Sequence, residues 1–315
     1  MTDTPPNPAT PAPPRPEVAA GPATFRDKLA AGRFVLTVEV DPPHGLSPRR
    51  ALQGAALLKQ AGADCLNVGD SPTAKVRMSP LAMSIVLQQE LGVEVVMHYT
   101  TRDRNALAIH SDMVGAHVLG VRNILCLRGD PPSLGGYNDI VGVWDVSAVG
   151  LMRVLKLLNE GLDWTGKPVG RRASFLIGAS ANPNANPLEP ELRLMRRKVE
   201  AGAHFFMTQN LFDEKLLDSF LDKAARFGLP VIVGVLPLAN YRHAEFLHKE
   251  VPGIYVPDAV RERMRRAGDE GGPKEGQTMA HDFITLCRQK AAGVYLVPSF
   301  GRYDLVAELI AEAKE

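Results

Sequence analysis

The chain has 315 residues, with 36 Lys and Arg against 35 Asp and Glu. A balance so close to zero gives no global field that would draw it to nucleic acid or an anionic membrane, so a small-molecule partner is expected. Three cysteines, Cys65, Cys126 and Cys287, are widely spaced in apolar contexts; they match neither a disulfide framework nor a zinc motif and are expected to be buried thiols.

Eight of the 25 prolines fall within residues 1–22, which hold almost no large apolar side chains. Such a segment buries too little surface to offset its chain entropy, and a disordered tail is expected there. It lacks the basic start and apolar run of a secretory signal, and no charge-free run reaches the roughly 18 residues of a membrane span, so a cytoplasmic location is expected. The remainder, 23–315, is read as a single domain.

From residue 34 onward, short apolar runs alternate with amphipathic stretches. The runs are Phe34–Val40, Asp64–Gly69, Val93–Thr100, Arg122–Leu127, Ala173–Ala179, His204–Gln209, Val231–Leu236 and Val294–Pro298. Several are continuously apolar, as strands of a parallel sheet covered on both faces should be. Between them, Ser47-Pro48 and Ser79-Pro80 place a capping hydroxyl before a proline at the first helical position, and Asp213 caps a later helix. Leu305, Val306, Leu309 and Ile310 form one helical stripe at the end of the chain. Most strand centres lie 27 to 30 residues apart, one strand-plus-helix unit each, which predicts a (β/α)8 TIM barrel. An open doubly wound sheet is the runner-up, but Asp41-Pro42-Pro43-His44-Gly45 after the first strand is no nucleotide turn. Two gaps exceed the period. One contains the loop Asp130 to Asp145; the other, before strand eight, contains extra helices and the polar run Gly268 to Gln277.

The active site of such a barrel lies at the C-terminal ends of its strands. In order, those ends offer Glu39, Asn67 with Asp70, His98, Arg128-Gly129-Asp130, Ser180 to Asn184, Gln209 and Ser299 to Arg302. Bland roles exist for some: Glu39 and His98 could bond each other, Arg128 and Asp130 could pair, and Gln209 could satisfy strand-end carbonyls. Polar groups on seven strand ends at once favour a site. Lysine is missing from every strand, which disfavours Schiff-base chemistry, and a lone strand-end histidine without clustered carboxylates disfavours a metal centre. An isolated acid among hydrogen-bonding and cationic groups suits proton transfer around a bound organic cofactor.

The segments Val38-Glu39-Val40-Asp41-Pro42-Pro43, Met97-His98-Tyr99-Thr100, Leu127-Arg128-Gly129-Asp130, Arg197 to Ala203, Thr208-Gln209 with Phe212-Asp213, and Gly234-Val235-Leu236-Pro237 together resemble the methylenetetrahydrofolate reductase family, over about residues 34–312. Asn182-Pro183-Asn184, Ala244 to Leu247 and Pro298 to Tyr303 most resemble the reductase half of bifunctional homocysteine methyltransferase/reductase proteins. The methyltransferase half is not expected here, where no cysteine cluster could hold its zinc.

The resemblance implies an FAD-containing barrel in which NAD(P)H reduces the flavin, leaves, and is replaced by methylenetetrahydrofolate. It implies Glu39 as the acid that opens the folate's imidazolidine ring and Asp130 as the aspartate beside flavin and pterin. His98, Arg128 and Gly129 match flavin contacts; Glu191, Arg197 and Lys198 match groups that hold the ribose and diphosphate. Gln209 and Arg302 match folate contacts. The sequence departs from the family at Gly69, commonly threonine, at Asp70 for a tyrosine, at His243 for a folate-binding glutamine, and at Asn182 near an expected tyrosine. Asp70 and Asn182 are still expected at the cofactor and His243 at the substrate, in a homo-oligomer. Two other readings are a methyltransferase barrel passing a methyl group from methyltetrahydrofolate without nicotinamide, and a folate- or flavin-binding protein without turnover.

Overall fold

Runs of β-branched residues that are apolar on both faces need cover on both faces, and a sheet closed on itself inside a ring of helices supplies it. The computed structural model describes residues 23–314; the tail expected to be disordered, 1–22, lies outside the described residues. Eight parallel strands close in sequence order: β1 (Val35–Val40), β2 (Cys65–Val68), β3 (Val95–Thr100), β4 (Asn123–Leu127), β5 (Leu176–Ala181), β6 (Phe205–Asn210), β7 (Val231–Val235) and β8 (Gly293–Leu296). The seam is β1 against β8, with Val35 opposite Gly293 and Val38 opposite Leu296.

Helix α1 (Phe25–Ala30) precedes the barrel and closes its N-terminal mouth. A capping box between Thr24 and Asp27 starts it, and Phe25 drives into the interior edge-on to Phe205, 5.8 Å between ring centroids. Gly178 on β5 leaves room for Phe205: a Cβ there would lie 2.4 Å from the phenyl ring. The outer ring comprises α2 (Arg49–Ala61), α3 (Pro80–Leu91), α4 (Ala106–Val118), α5 (Ala148–Glu160), α6 (Glu189–Glu200), α7 (Glu214–Ala224), α8 (Tyr241–Glu250), α9 (Asp258–Lys290) and α10 (Tyr303–Glu312). Val306, Leu309 and Ile310 of the last stripe are buried, and all three cysteines are buried and free.

Three local expectations are corrected. The fifth strand starts at Leu176, not Ala173, because the Asn159 side chain takes both backbone groups of Phe175, at 2.7 and 3.0 Å, and delays the ladder. Pro48, not Ser47, is the N-cap of α2, since its carbonyl accepts the first helical bond, from Leu52 at 2.9 Å. The run Gly268 to Gln277 is helical and lies within α9, broken only at Gly268. Close packing on the β7 loop requires its glycines: a Cβ on Gly276 would lie 1.8 Å from the Leu238 carbonyl oxygen. Tertiary contact here overrides weak helix propensity.

Candidate active site

Alternation along the strands decides which side chains face the axis. Thr37 and Glu39, Asn67, His98 and Thr100, Leu125 and Leu127, Ser180, Met207 and Gln209, and Tyr295 fall on the inward side. At the C-terminal mouth these side chains, Thr37 and Asn67 excepted, enclose with the following loops a cavity of about 390 Å³. Of the residues expected at the site, Glu39, Asp70, His98, Arg128, Gly129, Asp130 and Gln209 line it.

Glu39 lies in register with Asn67, and the carboxyl of Asp41, two residues on along the same strand face, is close enough to act on it. Burial, and then the charge of Asp41, hold Glu39 well above the usual carboxylate range, which favours its protonated form. His98 is pushed the other way, to about 4 by burial, and is a neutral imidazole. Its Nε2 has no partner among the described residues, nor does either polar atom of the Asn67 amide, which is fully buried. His98 lines the cavity, and its open Nε2 marks a place where a polar ligand or water belongs.

The bland pairings do not form. No hydrogen bond joins Glu39 to His98, whose Nε2 has no partner among the described residues. Arg128 lies over the Trp144 ring at 4.7 Å, with Trp144 Nε1 donating to its carbonyl. Asp130 instead accepts the Thr73 N–H at 3.0 Å, joining the β4 loop to the β2 loop, and Gln209 is exposed to the cavity. Gly129 adopts φ +85°, and a Cβ would meet the Cβ atoms of Arg102 and Thr100 at 2.9 Å, so only glycine fits this turn.

Asp70 lines the wall but is tightly engaged. Thr100 N and Oγ1 donate to it at 2.8 and 2.9 Å, and Arg104 pairs with it at 2.7 Å. Lys198 reaches the cavity edge from α6, donating to the Ser180 carbonyl at 2.6 Å beside Glu191 at 3.6 Å. Glu191 also accepts the Asn182 N–H. Asn182, Glu191 and Lys198 thus form one cluster outside the cavity, joined to it by Ser180. Arg197 is exposed on the same helix. His243 and Arg302 lie apart from the cavity wall: His243 stacks on Phe300 at 4.8 Å, and Arg302 pairs with Asp304 at 2.6 Å.

Residues 24–308 match the family model described as methylenetetrahydrofolate reductase. The chain belongs to this family. Methylenetetrahydrofolate reductase 2 of Saccharomyces cerevisiae is 28% identical over 209 residues, covering 62% of this chain and 32% of the yeast protein. Methylenetetrahydrofolate reductase (NADH) 1 of Arabidopsis thaliana is 27% identical over 175 residues, 53% of this chain and 29% of its own. The chain therefore spans about a third of the length of these curated relatives. In fold it is similar to a Clostridium thermocellum protein described as binding two copies of 5-methyl-5,6,7,8-tetrahydrofolic acid: TM-score 0.63 at 13% identity, over 92% of this chain and 97% of that one.

Several cavity residues of this methylenetetrahydrofolate reductase family member were not singled out from sequence: Ser71, Thr100, Arg102, Met207 and Tyr295. Strand alternation marks Thr100, Met207 and Tyr295 as inward. Arg102 and Ser71 sit in loops, where no periodicity applies, and meet through Arg102 Nη1 donating to the Ser71 carbonyl. Tyr303 of α10, which acts on Asp41 and Glu39, is legible only once the fold is closed.

Proposed function

We propose that this chain reduces 5,10-methylenetetrahydrofolate to 5-methyltetrahydrofolate with NAD(P)H through bound FAD, in a ping-pong sequence, with Glu39 as the general acid. The observation that carries the reading is a carboxyl that lines the strand-end cavity of a barrel in this family and is held by burial well above the usual carboxylate range. The residues present fit a flavin. His98 Nε2 and the Asn67 amide are open buried partners, Arg128, Gly129 and Asp130 border the same space, and the Asn182, Glu191, Lys198 cluster with Arg197 offers donors and cations for the ribose and diphosphate. When bound, FAD supplies the hydride relay between nicotinamide and folate.

The chain's own residues handle the proton and the orientation. Glu39 gives its proton to the folate's bridging nitrogen, the ring opens to an iminium, and the carbon becomes electrophilic enough to accept hydride. Asp130, fixed by Thr73 N–H, and the neutral His98 set the polarity around the reacting rings without competing for that proton. Gln209 presents its amide to the open cavity for the pterin. Arg302 and His243, which lie outside the cavity wall, are assigned to the outer part of a long substrate, its glutamyl carboxylates included. The motifs of β5, α8 and the β8 loop support a reductase of the type fused to homocysteine methyltransferases.

Glu39→Gln tests the assignment. The folate half-reaction should fall by about 100- to 10,000-fold, while flavin reduction by NAD(P)H persists. Equal loss of both halves, or of neither, refutes Glu39 as the acid.

A further inference from the structure

Inward positions recur every second residue along β1, so the step beyond Thr37 and Glu39 is Asp41. The register of β1 with β2, Glu39 opposite Asn67 and Val40 opposite Val68, places Asp41 opposite Gly69 when continued by one residue. The side-chain positions agree: a Cβ built on Gly69 would lie 3.2 Å from Asp41 Oδ1 and 3.2 Å from Pro72 Cγ. The carboxyl of Asp41 therefore occupies the space that a side chain at position 69 would fill. Gly69, which departs from the family's common threonine, and Asp41 are a matched pair.

Glu39 is partly buried and lines the cavity, Asp41 is exposed, and the two carboxyls sit two residues apart on one strand face, close enough to act on each other. Two carboxyls in such contact cannot both ionise without a large repulsion, so they hold one proton between them. The groups facing the pair are Arg77, whose charge favours ionised Asp41, Tyr303 of α10, and Arg50 of α2 beside Tyr303. Tyr303 is pushed up to about 12, mainly by burial, and stays neutral. One cation on the outer carboxyl and a neutral phenol beside the pair leave the shared proton resting on Glu39.

We propose that Asp41 is a positioning residue that keeps Glu39 protonated and resupplies it from solvent. The inference rests on the proposed reductase reading and assigns a task that Glu39 alone cannot perform. When Glu39 protonates the folate nitrogen, the Glu39 O–H bond breaks and the N–H bond forms, leaving two carboxylates in contact. That paired charge takes a proton from hydronium or a buffer acid at the exposed Asp41, which passes it inward to Glu39. Each turnover then consumes one solvent proton, and the pair returns to its starting state.

The test reads the proton itself. Infrared titration follows the protonated-carboxyl C=O band that Glu39→Gln removes, in the intact protein without substrate. With Asp41→Asn the midpoint of that band should move down by about one pH unit or more, since the like charge that held the proton is gone. The alkaline limb of folate reduction should move down with it, lowering the rate about tenfold above the new midpoint and little below it. Asp41→Glu should restore both. Gly69→Thr, which displaces the Asp41 carboxyl without removing it, should shift the band in the same direction. An unmoved band in Asp41→Asn, or a rate loss equal at all pH values, overturns the proposal. If the band shifts in Asp41→Asn while the wild-type protein shows no folate reduction, the carboxyl pair stands and the reductase reading falls.

Discussion

Replacing Asp70 with Asn should destabilise the whole barrel, because this carboxylate ties three segments together. It accepts the N–H and hydroxyl of Thr100 at the end of β3 and pairs with Arg104, all within 2.9 Å, and its side chain is 3% exposed. Removing one member of a buried pair typically costs 3–5 kcal/mol, because the other charge is left uncompensated. Arg104 keeps part of its environment: its guanidinium lies 4.3 Å from the Tyr99 ring centre, and Asp112 is 3.6 Å away. The lower end applies, about 3 kcal/mol. At about 2 °C per kcal/mol for a chain of this size, the melting temperature should fall by roughly 6 °C. Urea and thermal unfolding of Asp70→Asn, with Arg104→Met and the double variant, give the loss and the coupling between the two residues. A loss under about 1 kcal/mol, or weakened flavin binding with unchanged stability, would refute the structural role and return Asp70 to the ligand.

Two further effects follow from the cavity wall. His98 is held at about 4, below the 6.5 of an exposed histidine; the unfolded chain takes up its proton first as pH falls, so stability should drop between pH 6.5 and 4. The His98 share approaches roughly 3 kcal/mol at about 1.4 kcal/mol per pH unit, and His98→Gln should flatten that part of a urea-midpoint-against-pH curve; an unchanged slope refutes it. Gly129→Ala should cost about 2 kcal/mol from left-handed strain and contact with Arg102 and Thr100, and should lower flavin affinity, measured by visible absorbance; a variant with wild-type stability refutes the tight turn.

The barrel was readable from sequence because parallel strands buried on both faces leave unbroken apolar runs, and all eight runs became strands. Where single side chains intervene, as Asn159 does at Phe175, boundaries move by residues that no pattern records. The site divides along the same line. Strand-borne Glu39, His98 and Gln209 reach the cavity because alternation fixes their direction, and Arg128 to Asp130 follow directly from a strand end. His243 and Arg302 lie on the segments around β7 and β8, and their placement depends on packing against Phe300 and Asp304. Asp70 lines the cavity, and its pairing with Arg104, 34 residues away in the chain, is invisible until the fold is closed. Asp41 is hidden for a different reason: it opens the stretch Asp41-Pro42-Pro43-His44-Gly45 and reads as loop, not as the next inward step of β1.

The most direct test of the central claim is the anaerobic visible spectrum of the purified protein with FAD. Flavin absorbance should bleach on addition of NADH or NADPH and return on addition of methylenetetrahydrofolate, with return but not bleaching lost in Glu39→Gln. A protein that binds no FAD, or whose bleached absorbance is not restored by the folate, would contradict the account.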